Sequence, residues 1–187
     1  MIPPADRAVA EDEVDEADEG DVGAVEATIT HLDDLDSQQV RVQRHPDGSE
    51  RSVWDRWFVI RRDPAFVSLH TRWDPGFVMH RHGHKGHHVV YVLAGGMWCD
   101  DTWCGPGTHI EVPLGAAAGP CVAGPDGVEL FEVTAGDGGS WEADPEGFAA
   151  LMAERGITPL PNPPIALPEW MVDSRRDLST PEVGPAG

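Results

Sequence analysis

The chain has 187 residues, a formal charge of -20 at pH 7, and 21 glycines and 17 prolines. That length suits one domain with room for tails, and the Gly/Pro content with seven tryptophans favours a turn-rich β domain. The charge argues against nucleic acid and anionic membrane surfaces as partners, because both require basic residues to replace counterions.

The acidity is uneven. Ten acidic residues precede residue 27, against Arg7 as the one base there. Such a block reads as a solvated, disordered arm over residues 1–26. No N-terminal stretch joins a basic start to an apolar run, and none approaches the roughly 20 apolar residues that span a bilayer. The expected location is the cytoplasm. Cys99, Cys104 and Cys121 do not make a disulfide framework. Free half-buried thiols are the simplest expectation, though Cys99 and Cys104 are close enough in sequence to pair or to bind metal.

Residues 27–143 read as a barrel. Up to Asp55 there is room for one or two entry strands, with a turn at Pro46-Asp-Gly-Ser. Strand signals follow at Trp57-Phe-Val-Ile60 and Phe66–Trp73. Asp74-Pro-Gly is a tight turn, Phe77–His84 a strand, Lys85-Gly86 a turn and His88–Leu93 the return strand. Ala94-Gly-Gly closes it. Met97–Cys104 is the next strand, interrupted at Asp100-Asp101, then Thr108–Val112, Pro120–Ala123 and Val128–Thr134. Short strands with Gly or Pro at nearly every junction predict an all-β barrel or jelly roll. Asp144 then has the character of a helix N-cap, with Pro145 at the first helical position and Gly156 as the stop. Phe148, Leu151 and Met152 recur at helical spacing and should pack on the barrel. This helix and the Pro-rich extension after it occupy 144–172, and 173–187 reads as a flexible tail.

Five histidines fall within nine residues: His80, His82, His84, His87 and His88. Residues two apart on a strand share a face, so His82 and His84 project together. With a turn at Lys85-Gly86, His88 would return beside His84, and three imidazoles would converge from two strands. Neutral imidazole suits Fe(II), Zn, Ni, Cu and Mn. Three protein ligands leave an open position, the arrangement of a catalytic rather than a structural site. His80 and His87 are expected beside the ligands or in solvent. His31, His45, His70 and His109 carry no pattern.

The frame Gly76-x5-His82-x-His84-x3-His88-x6-Gly95 resembles the first motif of the cupin superfamily, with His88 where a glutamate is expected. Gly107-x5-Pro113-x-Gly115-x2-Ala118-x3-Val122 resembles the second, with Ala118 in place of a histidine and Val122 in place of an asparagine. The resemblance implies a single small cupin barrel, a double-stranded β-helix of the RmlC-like kind with a short C-terminal helix. It also implies one divalent metal, here on His82, His84 and His88. A second register, pairing His80 with His82, leaves an overlong gap and ranks below the first. A neutral ligand set keeps the full charge on the metal, which favours an anionic or chelating small molecule. Ala118 would open space beside that metal.

Alternation from Gly95 turns Met97 and Cys99 toward the lumen. Tyr91 falls on the opposite parity from His88, and the tryptophans are numerous enough to supply a homodimer contact as well as core. Glu111, Glu129 and Glu132 lie on strands without a compelling case as a catalytic base, and no catalytic residue is assigned. What the cupin resemblance implies is an Fe(II) dioxygenase acting on a small chelating substrate. A Zn-, Mn- or Ni-dependent isomerase or lyase is the first rival, and a ligand-binding or sensory module without turnover is the second.

Overall fold

A computed structural model describes residues 26–171. The expected acidic arm and C-terminal tail therefore lie almost wholly outside the described residues. Among the described residues, nine strands form one antiparallel sheet: β1 (Gln38–Arg44), β2 (Glu50–Arg62), β3 (Ala65–Trp73), β4 (Val78–Met79), β5 (His82–Cys99), β6 (Thr102–Cys104), β7 (His109–Val112), β8 (Cys121–Glu142) and β9 (Thr158–Pro159). The strand order is β6-β5-β8-β3-β2-β1-β9, with β7 also on β5 and β4 also on β8. The all-β jelly-roll expectation holds. No helix among the described residues is long and apolar enough to cross a membrane.

Three expected strand breaks are absent. There is no turn at Lys85-Gly86; β5 runs straight through it, opposite β8. Gly86 stands against Gly136, and a Cβ on Gly86 would lie 2.9 Å from the Gly136 Cα and 2.7 Å from the Ala135 carbonyl oxygen. The glycine permits close approach of two strands instead of reversing one. A register shift between His84 and Gly86 marks the same place. At Ala94-Gly-Gly the strand also continues, again with register shifts. The two strands expected at 120–134 are likewise parts of one, β8.

The glycines framing the histidines both take positive φ, Gly76 in a turn and Gly95 within β5. Gly76 has φ 72° and Gly95 φ 64°, a region closed to most side chains. A Cβ on Gly95 would lie 2.2 Å from the Gly127 carbonyl oxygen.

The core fills the barrel with Val53, Trp73, Phe77, Val92, Val128 and Leu130, among others. Each such side chain contributes about 1.5–3 kcal/mol when fully buried. At one end, Gln43 acts as a substitute strand. Its side-chain amide donates to the Val78 carbonyl, and its side-chain oxygen accepts from the Val78 N–H at 3.1 Å.

Helix α1 (Pro145–Glu154) starts where expected. Asp144 Oδ1 accepts from the Gly147 N–H at 2.9 Å. It ends at Gly156, φ 64°, with the Ile157 N–H on the Met152 carbonyl at 2.9 Å and the Gly156 N–H on Ala153 at 3.1 Å. Those two bonds form a Schellman cap, and Met152 and Ile157 supply its apolar contact. The helix packs Phe148, Leu151 and Met152 against Val78 and Val122. Past it, Leu167, Trp170 and Met171 lie on Val67 and Leu69 of β3.

Candidate metal centre

The barrel holds a cavity of about 110 Å³. His82, His84 and His88 all line it, together with Met97, Cys99 and Ala118. The three histidines come from one strand, not from two as the expected turn required. Positions 82, 84, 86 and 88 share one face of β5, and Gly86 leaves that face bare between His84 and His88. Ring centroids are 5.4 Å apart for His82 and His84, and 4.2 Å for His84 and His88. Ala118 pairs directly with His82, so the small side chain does stand beside the cluster.

His80 is buried but does not line the cavity. Its ring meets Phe148 of α1 edge-on at 5.5 Å, and its Nε2 has no hydrogen-bond partner among the described residues. Its carbonyl accepts from His82 Nδ1 at 3.0 Å. His87 points outward, where its Nε2 meets Glu111 Oε1 at 2.9 Å. Neither His70 nor His109 lines the cavity; His70 contacts Glu129 at 3.4 Å.

Each cavity histidine has one ring nitrogen on a protein acceptor. His82 Nδ1 bonds the His80 carbonyl, and His84 Nδ1 lies 3.4 Å from the Gly138 carbonyl. His88 Nε2 lies 3.0 Å from Glu132 Oε2. Such contacts fix tautomer and ring orientation and leave the other nitrogen to carry the lone pair. Burial, with Arg41 adding to it, lowers the His82 pKa to about 4, against the opposing effect of the His80 carbonyl. Burial likewise lowers that of His80 to about 3. Both rings are therefore neutral at pH 7, the state in which imidazole ligates metal.

Glu132 is the carboxylate that sequence reasoning passed over. It lines the cavity, whereas Glu111 and Glu129 contact histidines outside it. The available signal was parity: Val128, Leu130, Glu132 and Thr134 alternate along β8, and Glu132 is the charged member of that inward row. Arg41 and Asp55 also reach the cavity. Arg41 follows a register shift between Gln39 and Arg41 in β1, so both Val40 and Arg41 turn inward. No alternation rule could have placed it there.

As the side chains stand, no three His, Cys, Asp or Glu among the described residues are arranged to hold a metal ion. The chemistry of the donors fits one all the same. Three histidines line one cavity, each with one ring nitrogen on a protein oxygen, and burial keeps His82 neutral.

No family model and no curated protein matches the sequence. Solved structures do match the fold. A protein from Methylibium petroleiphilum PM1, described as a candidate acetylacetone dioxygenase, superposes with a TM-score of 0.55 at 11% identity, over 84% of this chain and 98% of that one. An RmlC-like cupin protein from Ralstonia eutropha JMP134 superposes with a TM-score of 0.50 at 16% identity, over 82% of this chain and 86% of that one. The fold is the cupin jelly roll.

Proposed function

We propose that this chain is a metal-dependent cupin enzyme in which His82, His84 and His88 bind one divalent ion, Fe(II) before Zn, Mn, Ni or Cu, and that it oxygenates a small chelating organic molecule. One observation carries the reading: three histidines on one face of β5 line a single cavity, each with one nitrogen on a protein oxygen. Binding would draw the other nitrogens, Nε2 of His82 and His84 and Nδ1 of His88, onto a common ion. A bound Fe(II) would supply oxygen chemistry, and a bound Zn only Lewis acidity.

The protein's part is to orient and to exclude water. Val90, Met97 and Leu130 give the cavity an apolar wall. Arg41 also lines it and adds positive charge near His82. Glu132 holds the ring of His88. Ala118 leaves room beside His82. A volume of about 110 Å³ suits a molecule of a few heavy atoms.

Glu132 also favours a second reading, a non-redox isomerase or lyase, because a carboxylate on the cavity wall can relay a substrate proton. Oxygen uptake separates the two. Chain loaded with Fe(II) should consume oxygen with a small β-diketone such as acetylacetone or another bidentate carbonyl compound, and Zn-loaded chain should not. Substrate turnover with Zn and no oxygen uptake with Fe(II) would favour the second reading. Binding without turnover under either metal would leave a ligand-binding module.

A further inference from the structure

The cysteines carry a chemistry that the proposed reaction does not use. Cys99 ends β5, Cys121 begins β8, and the two are direct partners in the antiparallel register. The flanking bond runs from the Asp100 N–H to the Pro120 carbonyl at 3.0 Å. A bond in that position makes Cys99 and Cys121 a non-hydrogen-bonded pair, the kind whose Cα atoms come to about 4.5 Å and whose side chains lie nearest. Disulfides accept Cα separations of about 4.4–6.8 Å, so these two sulfurs could join without moving the strands.

The Cys121 side chain is also the largest influence lowering the Cys99 pKa, with the Gly119 backbone and Arg81 assisting against burial and Asp100. Cys99 and burial raise that of Cys121. Cys99 is thus the readier thiolate of the two. Both line the cavity, Cys99 partly exposed and Cys121 buried. Cys104, which the sequence suggested as the partner of Cys99, stands opposite Met97, and its thiol is directed to the Thr102 carbonyl at 3.7 Å.

We propose that Cys99 and Cys121 form a reversible dithiol–disulfide couple in the cavity wall, oxidised by small hydroperoxides that enter the cavity. The Cys99 thiolate attacks the peroxide oxygen, the O–O bond breaks, and the leaving alkoxide or hydroxide takes a proton from solvent. Cys99 is then a sulfenic acid. Cys121 loses its proton to solvent, its sulfur attacks that of Cys99, and hydroxide leaves to become water. In sum, two thiols and one hydroperoxide give one disulfide, one alcohol (or water) and one water. Two electrons pass from sulfur to oxygen, and a small thiol reverses the change by exchange.

Peptide mapping tests it. The full chain is treated with one equivalent of hydrogen peroxide in buffer containing a chelator, to suppress metal-driven radical chemistry, and free thiols are then alkylated. The expected result is loss of two of the three alkylatable thiols, with a Cys99–Cys121 linked peptide and Cys104 alkylated. Dithiothreitol should restore all of them. Cys104→Ser should give the same linkage, and Cys121→Ser should stop at a sulfenic acid on Cys99 that dimedone traps. A linkage that includes Cys104, or Cys99 and Cys121 both still alkylated after peroxide, would overturn the proposal.

Discussion

The Glu132 carboxylate lies 3.0 Å from His88 Nε2, with the two side chains only 16% and 6% exposed. His88 pairs with Thr134, and Glu132 lies two residues before Thr134 on the same inward row. The contact is therefore a diagonal cross-strand pair fixed by the β5–β8 register. A carboxylate holding the far nitrogen of a ligand histidine raises its basicity and sets its angle.

Glu132→Gln tests that role. The amide keeps the shape and loses the charge, so the fold should survive. Metal affinity should fall about 10–100-fold, the usual effect of removing such a partner. Competitive titration with a chromophoric chelator reads the change, and circular dichroism checks the fold. Unchanged affinity would reduce Glu132 to a cavity-wall residue.

The histidine frame was legible because its signals are local. Gly76 and Gly95 occupy positive φ, His82 and His84 share a strand face, and Asp144, Pro145 and Gly156 bound a helix by short-range chemistry. Cross-strand placement was not legible. Gly86 has the sequence signature of a turn, yet its function is close approach to Gly136, a residue 50 positions away. Arg41 enters the cavity beside an irregularity in β1, and Cys99 finds Cys121 instead of Cys104 through the β8 register. Those depend on pairing between distant segments, which alternation within one segment does not report.

Gly83 lies between two of the proposed ligands. A Cβ there would sit 2.2 Å from the Ala116 carbonyl oxygen and 2.7 Å from Trp141 Cζ2. Gly83→Ala should therefore destabilise the protein by about 1–3 kcal/mol, the range for forced overpacking. It should also weaken metal binding by displacing His82 and His84. Urea unfolding gives the first quantity and metal titration the second. A neutral result in both would mean that the strand has more slack than its contacts imply.

Gln43→Ala isolates the substitute strand at the barrel end. Gln43 is 4% exposed, and its loss strips partners from both the Val78 N–H and the Val78 carbonyl. The expected cost is about 2–3 kcal/mol in urea unfolding, since a buried polar group left unsatisfied costs about 1–3 kcal/mol. Metal content should not change, because Gln43 does not line the cavity.

His80 gives metal-free protein an acid sensitivity with a definite sign. Its folded pKa is lowered from 6.5 to about 3, so below pH 6.5 the unfolded chain binds a proton that the folded chain refuses. Stability is complete above that pH and declines as pH falls toward 3, by up to about 1.4 kcal/mol per pH unit. His82 adds to the slope in the metal-free state. His80→Phe keeps the carbonyl that holds His82 and removes one titrating ring. Its melting temperature should drop less between pH 7 and pH 4.5 than that of the parent, and an equal drop would count against burial as the cause.

The most direct measurement is the metal content of untagged protein after dialysis against Fe(II) or Zn and removal of unbound ion. The account predicts one divalent ion per chain, lost in His82→Ala and His84→Ala, reduced or lost in His88→Ala, and retained in His87→Ala. A parent protein that binds no ion, or His82→Ala and His84→Ala variants that retain it in full, would contradict the account.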